Sequence, residues 1–458
     1  MSVDVMSRRI FILLLGLMTL LVPWAVIAQS FDQAEIDMFQ KLRQQPSQLA
    51  RYQYLVQIMP HLSPSDQVMA GQFRSFALSE LGLYNQAVLS FPLKSEQPAG
   101  LVLPSRNEWE SVDAADVITK LAADRSIVLI NEAHHNAHTR ALTLALLPRL
   151  RELGFTYFAA EALGEDDPGL MRRGYAIKAS GTEYLQEPLY GEIVREAIRL
   201  GFILVPYDSS DIDPRTRDVA QAETLFRKVF AKDPKARLFV HAGYAHIDKA
   251  SGRLGGIEPM AAQLAKLTGF DPLSIDQIQF LESGTADASD DYHMLIQQFP
   301  AQSAEVLINR VTGKPWSALP KLYDLNVILP IALNVKTFGD ETWSRLGGTT
   351  LKNVNDPAHL VAGSLTALND IPRPKWLTID GQRHPFPIST EQCRKEFPCV
   401  ISANYVGEPD DATAADRYAF TEPYASSKLY LRRGRYRLHA WNADGKTLSE
   451  RDVQIDSP

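Results

Sequence analysis

The run Ser126-Ile-Val-Leu-Ile-Asn-Glu-Ala-His-His-Asn-Ala-His-Thr-Arg140 passes from an unbroken apolar stretch straight into a glutamate and three histidines. A second run, Arg237-Leu-Phe-Val-His-Ala-Gly-Tyr-Ala-His246, does the same, so five of the ten histidines (His134, His135, His138, His241 and His246) follow two apolar stretches. Imidazoles titrate near neutrality, and neighbouring carboxylates can orient them, raise their basicity or share a cation with them. Three chemistries suit that inventory. A histidine could act as general base on a water while a carboxylate fixes its tautomer. Histidines and carboxylates could hold a divalent metal whose bound water attacks an ester or amide. A histidine could instead ligate haem iron. Residue types alone leave the three open.

Each of these groups also has a structural use. Polar side chains at a helix start cap free backbone amides, which suits Glu132, His135 and His138 as well as chemistry does. Glu161 could be a paired core carboxylate, and His241, directly ending an apolar strand, reads first as a hydrogen-bonded core histidine. Asp208 could simply open the loop Asp208-Ser-Ser-Asp-Ile-Asp213, and Arg217 could be a solvated helix charge.

A parallel sheet would bring these residues together. Between residues 113 and 282 the apolar periodicity switches repeatedly, predicting helices at 114–122, 139–153, 192–200, 216–230 and 259–266. Strands are expected at 126–130, 157–160, 202–206, 237–240 and 275–280, with one more at 325–330. Such alternation implies an α/β fold, a mostly parallel sheet joined by right-handed crossovers with helices on both faces. Residues 127–130 are apolar at every position, as a strand covered on both faces should be, and belong mid-sheet. Glu132 with His134 and His135, then Glu161, then Asp208, then His241 to His246 follow the first four strands. In a parallel sheet those ends share one edge, so a single cleft is expected to collect them.

The chain has 458 residues, 45% hydrophobic and 22% charged, enough for two or three domains, and a net charge of -7 that gives no basis for nucleic acid as a partner. Residues 1–28 read as a signal peptide: Arg8 and Arg9 precede the apolar run 10–22, and Val26-Ile27-Ala28 offers a cleavage point. Ser7-Arg-Arg-Ile-Phe11 also resembles a twin-arginine export signal. A periplasmic or secreted protein with no membrane span after signal removal is expected. An oxidising compartment permits a disulfide between Cys393 and Cys399, a local staple contributing about 2 kcal/mol in the chain-entropy account.

Residues 29–104 form a helical prefix, in which Leu81-Gly-Leu-Tyr-Asn-Gln-Ala87 followed by Phe91 resembles the tetratricopeptide hairpin. The α/β domain is expected over 105–340, an irregular proline-rich connector over 341–398, and a small β-sandwich or hairpin domain over 399–458. There, the alternating stretches 428–431 and 435–441 and the turn Asn442-Ala-Asp-Gly445 point to antiparallel pairing.

Asn131-Glu-Ala-His-His-Asn-Ala-His-Thr-Arg140, then Gly154-Phe155 and Ala160-Glu161, resembles the opening of the superfamily that groups erythromycin esterases, ChaN-type haem-binding proteins and Tiki/TraB metalloproteases. Gly243-Tyr-Ala-His246 is similar to its second Gly-x-x-His element, and Arg217-Asp-Val-Ala-Gln-Ala-Glu223 to its Arg-containing helix. The resemblance covers residues 113–282 and neither flank. Asn131 stands where that superfamily has glycine, and His135 and His138 are additional.

The resemblance implies that Glu132, His134, Glu161 and His246 carry the chemistry. His134 or His135 would be general base or metal ligand, Glu161 its orienter or co-ligand, and His246 the second imidazole, itself a candidate metal ligand. Glu132 would fix the loop or move a proton, and Arg217 would stabilise an oxyanion or grip a carboxylate. Outside what the resemblance implies, the position of His135, His138, Asp208 and His241 at or near the same strand ends makes them, with Arg217, candidates to line the substrate or ligand site.

The leading expectation is an exported hydrolase-like protein that cleaves an ester or amide bond in a small molecule or peptide, with or without a divalent metal. The rivals are a haem- or metal-binding protein for uptake, and a non-catalytic assembly module that meets a protein partner through the prefix or the β tail.

Overall fold

A computed structural model of the chain describes residues 33–93, 98, 100–208, 214–283, 290–332 and 372–456. The expected signal peptide, residues 341–371 of the expected connector, and most of the acidic loops after Asp208 and Ser283 lie outside the described residues. Among the described residues, no helix is long and apolar enough to cross a membrane.

The α/β unit is built on a six-stranded parallel sheet. In chain order the strands are β1 (Trp109–Asp113), β2 (Ile127–Glu132), β3 (Tyr157–Ala160), β4 (Ile203–Pro206), β5 (Leu238–Gly243), β6 (Leu273–Asp276), β7 (Glu305–Asn309) and β8 (Leu325–Asn326). The parallel sheet runs β4-β3-β5-β2-β6-β8, while β1 and β7 pair antiparallel in a separate ribbon. Because side chains alternate across a strand, β2 feeds two cores. Val128 and Ile130 join Ile118, Leu146 and Ile193 on one face, and Ile127 and Leu129 join Leu225, Met260 and Leu264 on the other. The fully apolar run therefore marks a central strand with helices on both sides, as expected.

Strand β5 inserts between β3 and β2, pairing Ala160 with His241 and Glu132 with Gly243. It extends past the expected end at Val240 to Gly243, which places His241 inside the strand. The expected fifth and sixth strands end earlier than the apolar runs 275–280 and 325–330 suggest, because β6 ends at Asp276 and β8 at Asn326. Asn326 Nδ2 donates to Asp276 Oδ2 at 3.1 Å where the two strands finish.

The prefix consists of helices Gln33–Arg43, Gln48–Ile58, Pro64–Glu80 and Tyr84–Leu89. Ser47 and Ser63 cap the second and third, accepting from Ala50 N and Asp66 N. Met38, Phe39, Phe73 and Phe76 enter the α/β core, while Leu49, Tyr52, Ala77 and Leu78 enter the core of the C-terminal β region. The prefix thus wedges between the other two units.

That β region comprises β9 (His384–Ser389), β10 (Cys399–Tyr405), β11 (Asp416–Phe420), β12 (Ser426–Leu431), β13 (Gly434–Asn442) and β14 (Thr447–Ile455). Its antiparallel sheet runs β11-β10-β13-β14, and β12 pairs with β9. Strand β9 corrects the expectation of an irregular connector reaching Pro398. His384, Phe386 and Ile388 face inward in alternation, while the more exposed Pro385 and Pro387 sit in a two-stranded ribbon, where a residue without an N–H is tolerated. Cys393 and Cys399 are disulfide-bonded, with Cα atoms 5.8 Å apart. The expected turn after Asn442 joins β13 to β14, with Gly445 at φ 76°.

Gly82 lies in the turn between the last two prefix helices at φ 74°, and a Cβ there would sit 1.9 Å from the Arg417 carbonyl of β11. A left-handed backbone costs a non-glycine residue about 1–2 kcal/mol, and the contact adds to it. Gly82→Ala is therefore expected to destabilise the chain by at least about 2 kcal/mol, read as a lower urea midpoint; an unchanged midpoint would show that the prefix does not dock on β11.

Candidate functional site

The carboxyl ends of β2, β5 and β3 deliver Glu132, Gly243 and Glu161 side by side, and Glu161 N donates to His241 O at 3.1 Å as β3 ends. Two ion-paired half-sites meet there. In the first, His134 Nδ1 lies 2.9 Å from Glu132 Oε1, and the other Glu132 oxygen takes the Arg140 guanidinium. In the second, Arg217 Nη2 donates to Glu161 Oε1 at 2.7 Å, its Nη1 lies 3.2 Å from His246 Nε2, and His246 Nδ1 meets Asp218 Oδ1 at 2.8 Å.

Gly243 is the seam between the halves. Its N–H donates to Glu161 Oε2. A Cβ built on it would stand 2.8 Å from His134 Nε2 and 2.9 Å from Glu161 Oε2. Any side chain here would fill the interval between imidazole and carboxylate. Glycine is required for clearance, since its φ of -74° suits any residue.

Burial makes the charges interdependent. Burial alone would raise the Glu132 carboxyl, but the Arg140 charge, the hydrogen bond with His134 and the nearby His241 imidazole hold it well below the usual carboxylate range. Glu161 is likewise held low against burial by His246, Arg217 and His134 together with the Gly243 amide. Burial opposes charge on His246, yet Asp218 and Glu161 outweigh it and raise its proton affinity. Both carboxylates are therefore ionised, and His246 is disposed to hold a proton.

The network extends into both flanks. Arg140 Nη1 donates to Glu187 Oε2 at 2.9 Å, and Tyr84 of the prefix donates to Glu187 Oε1 at 2.8 Å. Glu187 also caps the helix Pro188–Arg199 by accepting from Leu189 N and Tyr190 N, both at 3.0 Å. Around His134, Tyr184 stacks at 4.1 Å between ring centroids, Tyr244 meets it edge-on at 5.0 Å, and Phe76 of the prefix does so at 5.8 Å. Tyr244 holds a left-handed backbone, φ 47°, that a bulky residue rarely adopts.

The structure thus gathers Glu132, His134, Glu161, Arg217 and His246 at one rim, with Asp208 behind Arg217 at 2.9 Å. Several expected roles are corrected. Glu132 orients His134, the role expected of Glu161, because Glu132 Oε1 meets His134 Nδ1 while Glu161 Oε1 accepts from Arg217. His135 stacks on Phe91 at 3.5 Å and His138 on Trp376 at 4.9 Å, so both pack against aromatic rings outside the half-sites. Neither caps the helix beginning at His138, whose N-cap is Ala137; Asn136 just before it accepts from His138 N at 3.2 Å through its Oδ1. His241 is fully buried; its Nδ1 meets Thr143 Oγ1 at 2.9 Å and its Nε2 lies 3.5 Å from Glu132, so it supports that carboxylate and does not line a ligand site. Among the described residues, no group of three or more His, Cys, Asp or Glu side chains is arranged to hold a metal ion.

Asn131 needs no glycine-like backbone, since it lies within β2. Its Nδ2 donates to Tyr244 O and to Asp276 Oδ1, both at 2.8 Å, and its Oδ1 accepts from Gln277 N at 2.7 Å. The Asn131 side chain thereby ties three strand ends together. Sequence reasoning missed Arg140, Asp218, Glu187, Tyr84 and Tyr184. Glu187-Pro188 does carry the signature of a helix N-cap followed by proline, and Asp218 adjoins Arg217, but nothing local to Tyr84 or Tyr184 signals a role.

Burial pushes the His135 and His138 imidazoles down to about 3 from 6.5. A depressed histidine contributes stability that is complete above about pH 6.5 and is lost as pH falls toward the folded value. Each proton corresponds to a slope of about 1.4 kcal/mol per pH unit. His246, raised by its partners, acts in the opposite sense: its contribution is present below about pH 6.5 and is lost as pH rises through the folded value. Urea unfolding of wild type and His138→Gln between neutral and mildly acidic pH should show the variant losing stability less steeply, by about one proton; parallel curves would contradict the buried neutral state.

No family model matches the chain, and no curated protein matches it. Among solved structures, a chain described as "Bacterial protein toxins" aligns at 14% identity with a TM-score of 0.28, covering 47% of this chain and 46% of that one. The alignment spans about half the length of that chain, and a similarity of this size carries no argument about fold or function.

Proposed function

We propose that the chain is a hydrolase-like protein that cleaves an ester or amide bond, with Glu132 and His134 as its basic side and Arg217 and His246 as its electrophilic side. One observation carries this reading. His134 Nδ1 is held by Glu132, while the buried Nε2 has no hydrogen-bond partner among the described residues and borders the interval that Gly243 keeps clear.

A carboxylate that accepts from Nδ1–H leaves the Nε2 lone pair as an acceptor, the tautomer a general base needs. In this reading Nε2 takes a proton from water as the water oxygen bonds to the carbonyl carbon. The carbonyl oxygen, gaining the electron pair, is met by the Arg217 guanidinium, which Glu161 and Asp208 hold in position. The proton on His134 or His246 then passes to the leaving oxygen or nitrogen as its bond to carbon breaks. The resemblance over residues 113–282 to the superfamily of erythromycin esterases, ChaN-type proteins and Tiki/TraB proteases supports the choice of residues. The apparent signal sequence supports action in the periplasm or outside the cell.

The test is turnover of a panel of p-nitrophenyl esters and peptide p-nitroanilides, with metal content determined on the same protein. His134→Ala is expected to lower kcat/KM by about 10²–10⁴-fold and Arg217→Met by about 10²–10³-fold. Turnover indifferent to His134→Ala would overturn the proposal. A Soret band on adding haemin, lost in His134→Ala and unaccompanied by turnover, would assign the same imidazole to haem ligation instead.

A further inference from the structure

A cleft of about 480 Å³ opens where the prefix, the segment around Thr182 and the β region meet, away from the half-sites described above. Phe76 is the wall common to both, lining the cleft while its ring meets His134. The volume lies within the range of small-ligand sites.

At its floor on β11 stands Arg417, 6% exposed. The guanidinium donates to Ser402 Oγ at 3.1 Å and to the Glu80 carbonyl oxygen at 3.2 Å. Among the described residues, no carboxylate lies within ion-pair distance of it. The carboxylate of Glu80, whose backbone carbonyl accepts from Arg417, is taken by Arg51. Burial accordingly pulls the Arg417 guanidinium below its usual affinity for a proton. Gln186 faces the same cleft, 8% exposed, with its Nε2 amide donor buried and without a hydrogen-bond partner, and the Thr182 hydroxyl is buried and unpartnered beside it. Native proteins pair nearly all such groups. Unpartnered donors lining the same cleft as a guanidinium that lacks a counter-ion describe a seat for an anionic oxygen pair.

The remaining lining decides what bears that anion. Four basic and four acidic side chains border the cleft, among the latter Glu183, Asp410 and Asp411. That balance repels a polyanion; Glu80 and Asp410 are paired with Arg51 and Arg437, so Glu183 and Asp411 are the carboxylates that would meet a cationic group, while Phe73 and Trp441 supply apolar wall. We propose that this cleft binds a zwitterionic amino acid or short peptide, its carboxylate on Arg417 and Gln186 and its ammonium toward the acidic side. The inference stands apart from the hydrolase reading and requires no turnover.

Isothermal titration calorimetry on the full chain tests it with alanyl-phenylalanine, its C-terminal amide, its N-acetyl derivative and inorganic phosphate. Saturable binding of the dipeptide is expected, with the amide and the acetylated form each weaker by about tenfold or more. Arg417→Met should abolish binding. Because that variant removes a buried hydrogen-bonded group and could fail to fold, Gln186→Ala is the second variant, expected to weaken binding about five- to tenfold at an unchanged unfolding midpoint. Absence of saturable dipeptide binding overturns the proposal. So does equal affinity for the amide, indifference to Gln186→Ala in folded protein, or tighter binding of phosphate than of the dipeptide.

Discussion

The buried guanidinium of Arg140 is the interaction on which the site depends. It is 1% exposed and pairs with two carboxylates, Glu132 and Glu187, which belong to different parts of the α/β unit. A carboxylate enclosed this deeply stays ionised only beside a compensating cation. Without Arg140, Glu132 would favour its protonated form and lose the charge with which it holds His134 Nδ1. The same guanidinium reaches Glu187, whose other duties are to cap a helix and to accept from Tyr84. One cation therefore links the tautomer of a strand-end histidine to the start of a helix and to the docking of the prefix.

The half-site around Arg217 repeats this logic. Glu161 and Asp208 both answer one buried guanidinium, and Asp218 steadies the neighbouring imidazole. Each half contains an arginine, carboxylates and a histidine held through Nδ1, and the halves are set apart by a glycine that cannot be larger. What closes them off is aromatic. Phe76, Tyr184 and Tyr244 enclose His134, while Phe91 and Trp376 cover His135 and His138. The rings around His134 come from the prefix and the α/β unit, so the prefix is a wall of the site, while Trp376 of the segment leading into the β region covers only the outlying His138.

Much of the α/β unit was legible because burial leaves a period in the sequence. The apolar run 127–130 marked a strand covered on both faces, and Glu132, Glu161 and His246 were found because each follows such a strand or its turn. The errors have a common physical origin. His135 and His138 carry the same functional groups as His134, and only the direction of the loop turns them toward aromatic rings. Glu132 and Glu161 are equally plausible orienters by residue type, and their assignment depends on which guanidinium each one faces. Strand β9 was hidden because prolines argue against a strand unless it lies in an edge ribbon, a property of its neighbours.

Alone, the sequence determined which segments form strands, which polar residues stand near their carboxyl ends and which helices alternate with them, because local conformation and burial are written in short-range patterns of side chains. Tertiary structure decided that β5 lies between β3 and β2, that Gly243 therefore sits between Glu161 and His134, and that Phe76 from more than fifty residues upstream covers the imidazole. Those outcomes follow from packing between segments distant in the chain. Which carboxylate serves which cation depends on separations of a few ångströms that no single segment contains.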